Sequence, residues 1–216
     1  MANQTEGFGC RMTMTTGNTP ATQGQSEYKI KSGLGVGIFK NNPCSLQDSS
    51  GDQGYLQDAS FAVTDDGGAG GNLFENDAHA PLIGVFNGAF YVNSTTSKPT
   101  WANSIAASTT FGTDYNTGSD DGLGFVNDNP QQEYVIKADA AVTQAMIGDA
   151  GYNTNAFTAS DAISGQSDVK LDIGGGAGVK KMFKLVRTAN DPLNKDYTAI
   201  DSNVIVNIAR DSNLYN

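Results

Sequence analysis

The apolar residues of this chain fall in short runs that alternate inside and outside with a period of two. Each run stops at a cluster of Gly, Asn, Asp or Pro. EYKIKSG (residues 27–33) sets Tyr28 and Ile30 on one face and Glu27, Lys29 and Lys31 on the other, the signature of a half-buried strand. LGVGIFKNNPCSL continues as a second short strand that ends at the turn Asn41-Asn42-Pro43. SDVKLDI buries Val169, Leu171 and Ile173 and exposes Lys170 and Asp172. GFVND, EYVIKAD, MFKLVRT and NVIVNIAR read as further strands, the last two separated by the turn NDPLNKD. PLIGVFNGAFYVN (81–93) is the longest apolar stretch. Its internal Asn87-Gly88 reads as a tight hairpin turn or as a bulge in one long strand.

One segment departs from this pattern. Asp139 precedes AAVTQAMIG, a composition that favours a short helix, with Asp139 placed to cap its first turn and Gly148 to close it. The sum is a mainly β chain of about eight to ten short strands with one short helix: a single barrel or sandwich-like domain. A length of 216 residues fits one domain with a real core. Its 26 glycines fit long turns. Residues 1–26 are polar, Thr- and Gly-rich and without periodicity, and read as an extended N-terminal arm or a frayed terminus ahead of a β-rich body at 27–216. Within that body, residues 48–77 read as a loop insertion in which only residues 60–64 resemble a strand.

Charge removes several functions. The formal net charge is -10, with 13 basic residues scattered among 23 acids. No basic cluster is offered to nucleic acid or to an anionic membrane. No apolar run approaches the ~20 residues that span a bilayer, and MANQTEGFGCRM lacks the pattern of a secretory signal. Cys10 and Cys44 allow one bridge at most, and two reduced thiols are the preferred reading.

Catalytic chemistry is sparse. His79 is the single histidine, so neither a triad nor a multi-histidine metal site is expected within one chain. Cys10 adjoins Arg11 but has no visible base. LDIGGGAGVKK (171–181) lacks both the Gly-Lys-Ser/Thr ending of a phosphate loop and the third glycine of a dinucleotide fingerprint. DDGGAGGN (65–72) and DYNTGSDDG (114–122) set carboxylates on turns that would suit calcium, but neither follows the twelve-residue loop, and solvated acidic turns are the preferred reading. Asp128, Glu133 and Asp139, close together in DNPQQEYVIKAD, occupy a turn, a strand start and a helix cap. They are expected to serve as scaffold, with Glu133 on the face of Val135 and Lys137, opposite Tyr134 and Ile136. No catalytic residue, cofactor or metal is expected.

The order of the pieces resembles the capsid decoration, or cement, proteins of tailed bacteriophages found beside the major capsid gene in marine phages. It is carried by EGFGCRM, EYKIKSGLGVGIFKNNPC, LIGVFNGAFYVNSTTSKPTWANSIAAST, GFVNDNPQQEYVIKADAAVTQAMIGDAGYN, GQSDVKLDI and FKLVRTANDPLNKDYTAIDSNVIVNI. The chain departs from that pattern at Cys10 and Met12 and in the length of the 48–77 insertion. The resemblance implies a non-enzymatic virion protein, made in the host bacterial cytoplasm, that binds the outside of a capsid and stabilises it against internal DNA pressure. Its partner would be the major capsid protein, with homo-oligomers expected, trimers ahead of dimers. Contact residues are expected at Phe8, Arg11 and Met14 in the arm and at Trp101, which a solvent-facing turn or the core would equally accommodate. Alternative readings are another virion component (a head-fibre or tail-tube protein) or a secreted calcium-binding or carbohydrate-active β-sandwich.

Overall fold

The computed structural model describes residues 3–17, 19–20, 24–47, 51–59, 82–115, 117–155, 164–173, 182–192, 194, 196, 198–209 and 213. Fifteen strands run through them. The chain begins with β1 (Arg11–Thr15), β2 (Thr19–Pro20), β3 (Ser26–Ile30), β4 (Ile38–Phe39) and β5 (Pro43–Leu46). Next come β6 (Leu56–Asp58), β7 (Leu82–Val92), β8 (Pro99–Ala102), β9 (Ser104–Ile105) and β10 (Gly122–Asn127). The last five are β11 (Gln132–Lys137), β12 (Ala150–Thr154), β13 (Leu171–Asp172), β14 (Phe183–Thr188) and β15 (Asn203–Ile208). A seven-stranded sheet has the order β13-β12-β14-β15-β11-β1-β2. A six-stranded sheet has the order β3-β10-β7-β5-β6, with β8 also paired to β7, and β4 and β9 form a small third sheet. The chain is mainly β and sandwich-like, without barrel closure among the described residues. The strand-like residues 60–64, the acidic turn at 65–72, His79 and the glycine run 174–181 lie outside the described residues.

The buried side chains form two clusters. One gathers Tyr134, Ile136, Phe183, Leu185, Val204 and Val206 from the first sheet, and the other Ile30, Ile38, Leu56, Phe86, Ile105 and Val126 around the second. Strand β7 serves both, since Leu82 and Val85 join the first cluster while Ile83, Phe86 and Ala89 join the second. Its first half is therefore buried on both faces.

Asn87-Gly88 does not turn the chain back. β7 runs unbroken for 11 residues, and its pairing with β10 slips there: Val126 lies opposite Phe86 but Phe125 opposite Gly88. Asn87 is the extra residue of a bulge. A bulge reverses which side chains face the core. Hence Phe86 and Ala89 both point inward, and Phe90 turns to solvent.

The helix expected after Asp139 is absent. Residues 139–149 carry only one 3-10 turn, Gln144–Met146. The Asp139 carboxylate accepts from the Ile173 N–H (2.8 Å) and caps nothing, while Gly148 N–H donates to the Leu185 carbonyl. Val142 is buried in the first cluster, with Met146 and Ile147 packed against it. A segment this short meets the full cost of helix nucleation, and its apolar residues gain more by lying flat on the sheet.

Residues 3–17, expected to belong to an arm, lie against the body. Cys10 is fully buried and Arg11–Thr15 pairs with β11. Cys10 N–H donates to the Asn41 carbonyl at 2.8 Å, and the Asn3 side-chain amide donates to the carbonyls of Asp196 and Ile200 at 2.9 Å. At Gly7 any Cβ would stand 1.9 Å from the Asp168 carbonyl oxygen, so only glycine permits that approach. Deleting residues 1–26 strips a strand from β11 and uncovers Tyr134 and Ile136. The expected result is a truncated chain that binds a hydrophobic dye at 25 °C and melts well below the full chain, read by fluorescence and calorimetry.

Cys10 and Cys44 are both free and fully buried, and desolvation pushes both thiols well up from their ordinary value. The unfolded chain ionises its thiols from about pH 8.5, while the folded chain keeps them protonated. Stability is thus complete below that pH and lost as pH rises toward the folded values, by on the order of 1 kcal/mol per thiol at pH 9.5. Lys137, whose pKa is lowered by desolvation, acts in the opposite sense nearer the ordinary lysine value of about 10.4. Denaturant midpoints should fall between pH 8 and 9.5, and the double variant Cys10→Ala/Cys44→Ala should flatten that slope.

Candidate partner-contact surfaces

The acids of the 128–139 stretch serve three separate partners. Tyr28 donates its hydroxyl to Asp128 at 2.9 Å, and Arg187 grips Glu133 with both guanidinium nitrogens at 3.2 and 2.6 Å. Asp139 holds the Ile173 N–H. Glu133 and Lys137 do share a face of β11, opposite Tyr134 and Ile136, but that face is no simple solvent side: the two are 2% and 3% exposed. An ionised group buried to that degree needs a partner. Glu133 has Arg187. Lys137 donates to the Gln4 and Asp201 carbonyls and lies 5.9 Å above the Phe8 ring.

A polar cleft of about 570 Å³ opens beside this region, with Glu6, Asp139, Asn155, Gln166, Asp168 and Lys170 in its walls. Lys170 is engaged by Asp201 at 2.7 Å. No group of three His, Cys, Asp or Glu side chains is set to hold a metal ion among the described residues. In the acidic turn at 114–122, Asp121 is held by Lys29 and Tyr55, and Asp114 by Thr117.

Of the four expected contact residues, Phe8 and Arg11 meet, the guanidinium stacking over the ring at 4.6 Å. Such a contact over an aromatic face is worth about 0.5–1 kcal/mol at an exposed site. Met14 follows on β1, 43% exposed, with Pro20 of β2 opposite. Trp101 stands apart, on β8 of the second sheet, and at 51% exposed it is not a core residue.

Trp101 has companions that periodicity did not reveal. Phe90 lies directly opposite it and is 41% exposed, and the Phe125 ring lies 4.9 Å away at 45°. Leu123, opposite Phe90 on β10, extends the row toward Glu27 and Lys29 of β3. Gly88 makes the arrangement possible: a Cβ there would stand 2.5 Å from Trp101 Cζ2, so the indole lies in the space of the missing side chain. The bulge exposes Phe90 and the glycine seats Trp101. Asn87-Gly88 was the legible signal, and the pairing of β8 with β7 supplied the rest.

Comparison with known proteins adds no relative. No family model matches the chain, and no curated protein or solved structure matches it. No helix among the described residues is long and apolar enough to cross a membrane.

Gly88→Val should displace the indole from its seat. The expected readout is a red shift of the emission of the sole tryptophan, with a stability loss of about 1–3 kcal/mol from overpacking.

Proposed function

We propose that the protein is a structural component of a tailed-phage virion that binds the outer surface of the capsid and stabilises it against the pressure of packaged DNA. The observation that carries this reading is the row Trp101, Phe90, Phe125 and Leu123 on the open face of a sheet, three of them aromatic and two of them well exposed. Aromatic side chains, Trp above all, dominate the energetics of protein contacts and cluster where the partner's surface covers them. Large apolar patches on a water-facing surface mark such sites. The resemblance of the order of sequence pieces to capsid decoration proteins supports the choice of a capsid as the partner.

The mechanism is mechanical. A sheet with side chains fixed by packing presents its anchors without reordering, which limits the entropy lost on docking. Repetition over a capsid lattice multiplies a modest contact through effective concentration. Acidic net charge keeps the free protein soluble before assembly. Met14 and Arg11 of β1 offer a second contact region on the other sheet.

Trp101→Ala/Phe90→Ala removes the two exposed anchors and leaves the buried clusters intact. Binding to purified empty heads lacking tails should weaken by thirtyfold or more, the scale of a lost hot spot, while the chain keeps a cooperative melt above the assay temperature. Equal decoration by the double variant, or absence of the protein from purified heads, would reject the reading.

A further inference from the structure

The outer face of the seven-stranded sheet carries a charge opposite to that of the chain. Register places Arg11 beside Val135, Val135 beside Ile205 and Ile205 beside Arg187, one row across β1, β11, β15 and β14. Residues directly opposite on paired strands project from the same face. The next row holds Glu133, Asn207 and Lys184. Arg11 and Lys184 are exposed, and the Arg187 side chain is 39% exposed. The single acid of the two rows, Glu133, is 2% exposed beneath Arg187. Solvent therefore meets three cations in a chain of net charge -10. Around Lys137 the charges are mixed, with Glu6, Asp191 and Asp201 opposed by Lys170 near that ammonium.

The row has a definite shape. Half-buried Val135, with Ile205 only 8% exposed beside it, forms a shallow apolar floor between two guanidinium groups, whose strands lie three spacings apart, about 14 Å. Such a floor accepts an aromatic ring with carboxylates on either side. The chain presents that combination elsewhere. Tyr115, 87% exposed, stands in the loop before β10 with Asp114 and Asp120. The loop is braced from within: Gly118 N–H donates to the Asp114 carbonyl and Asp114 N–H to the Ser119 carbonyl, both at 2.7 Å.

We propose that the chain associates head to tail with itself, the Arg11–Arg187 row of one copy taking the Tyr115 loop of the next. A second copy is the occupant because both complementary surfaces belong to this chain. Joining unlike surfaces also pairs opposite charges, where a symmetric contact through either alone would oppose like charges. Arg11, stacked on Phe8, and Arg187, paired with Glu133, flank the ring, and with exposed Lys184 they attract the carboxylates, contacts that salt weakens. The contact does not use the Trp101 face that carries the capsid reading, although it shares Arg11 with the second contact region, and its test needs no capsid.

The test uses the purified full chain, without capsids, in sedimentation equilibrium up to 200 µM at 50 and 500 mM NaCl. Association is expected at low salt, at least tenfold weaker at high salt. Tyr115→Ala, at an exposed tip where folding is undisturbed, should weaken it at least tenfold, as should Arg11→Glu/Lys184→Glu. Mixing these two variants leaves one intact row and one intact loop, so a one-to-one dimer that grows no further is expected. A wild-type chain monomeric throughout, variants that associate as the wild type does, or a mixture without dimer would overturn the proposal.

Discussion

The extra residue at Asn87 governs what the second sheet shows to water. Before it, β7 is buried on both faces and stitches the two core clusters together. Beyond it, the strand has one face in the core, through Ala89, and one in solvent, through Phe90. An unbulged strand would direct Phe90 to the side of Phe86, into the second cluster. Because the side-chain period is two, one inserted residue exchanges every later position. The aromatic row follows from that single exchange, with Gly88 leaving the space that Trp101 occupies.

The N-terminal segment answers a different constraint. Lys137 projects from β11 on the face away from the first core, where desolvation opposes its charge. The Gln4 carbonyl and the Phe8 ring, with the Asp201 carbonyl, supply what water would have supplied. The polar stretch before β1 is thus a cover for a buried ammonium. Its glycines have matching uses, since at Gly7 the backbone passes too close to Asp168 for any side chain. A segment without apolar periodicity is held by directional hydrogen bonds rather than by area, and its fit is correspondingly specific.

The two sheets present different chemistry to solvent. One shows an aromatic row flanked by Glu27 and Lys29, and the other a cationic row with an apolar floor. Charge on an acidic chain is in this way distributed rather than uniform. Scattering of the basic residues along the sequence conceals this, because Arg11, Lys184 and Arg187 are far apart in the chain and adjacent only across strands.

Local pattern was sufficient where one face of a strand meets the core and the other meets water. Tyr28 and Ile30 of β3, and Val169, Leu171 and Ile173, lie on the sides that alternation assigns. The residue pattern alone set the β class, the main strands and the turn at Asn41, whose φ of 73° suits asparagine. It did not determine strand order, and everything that depends on neighbours across the sheet was decided by tertiary structure. Glu133 is an ordinary strand residue until β14 brings Arg187 beside it. Asp139 is a good helix cap until the Ile173 N–H claims its carboxylate. Alternation reports which side of a strand is apolar, an energy local to a few residues. The partner across a sheet is chosen by the summed packing of the whole core, and no short window of sequence contains that sum.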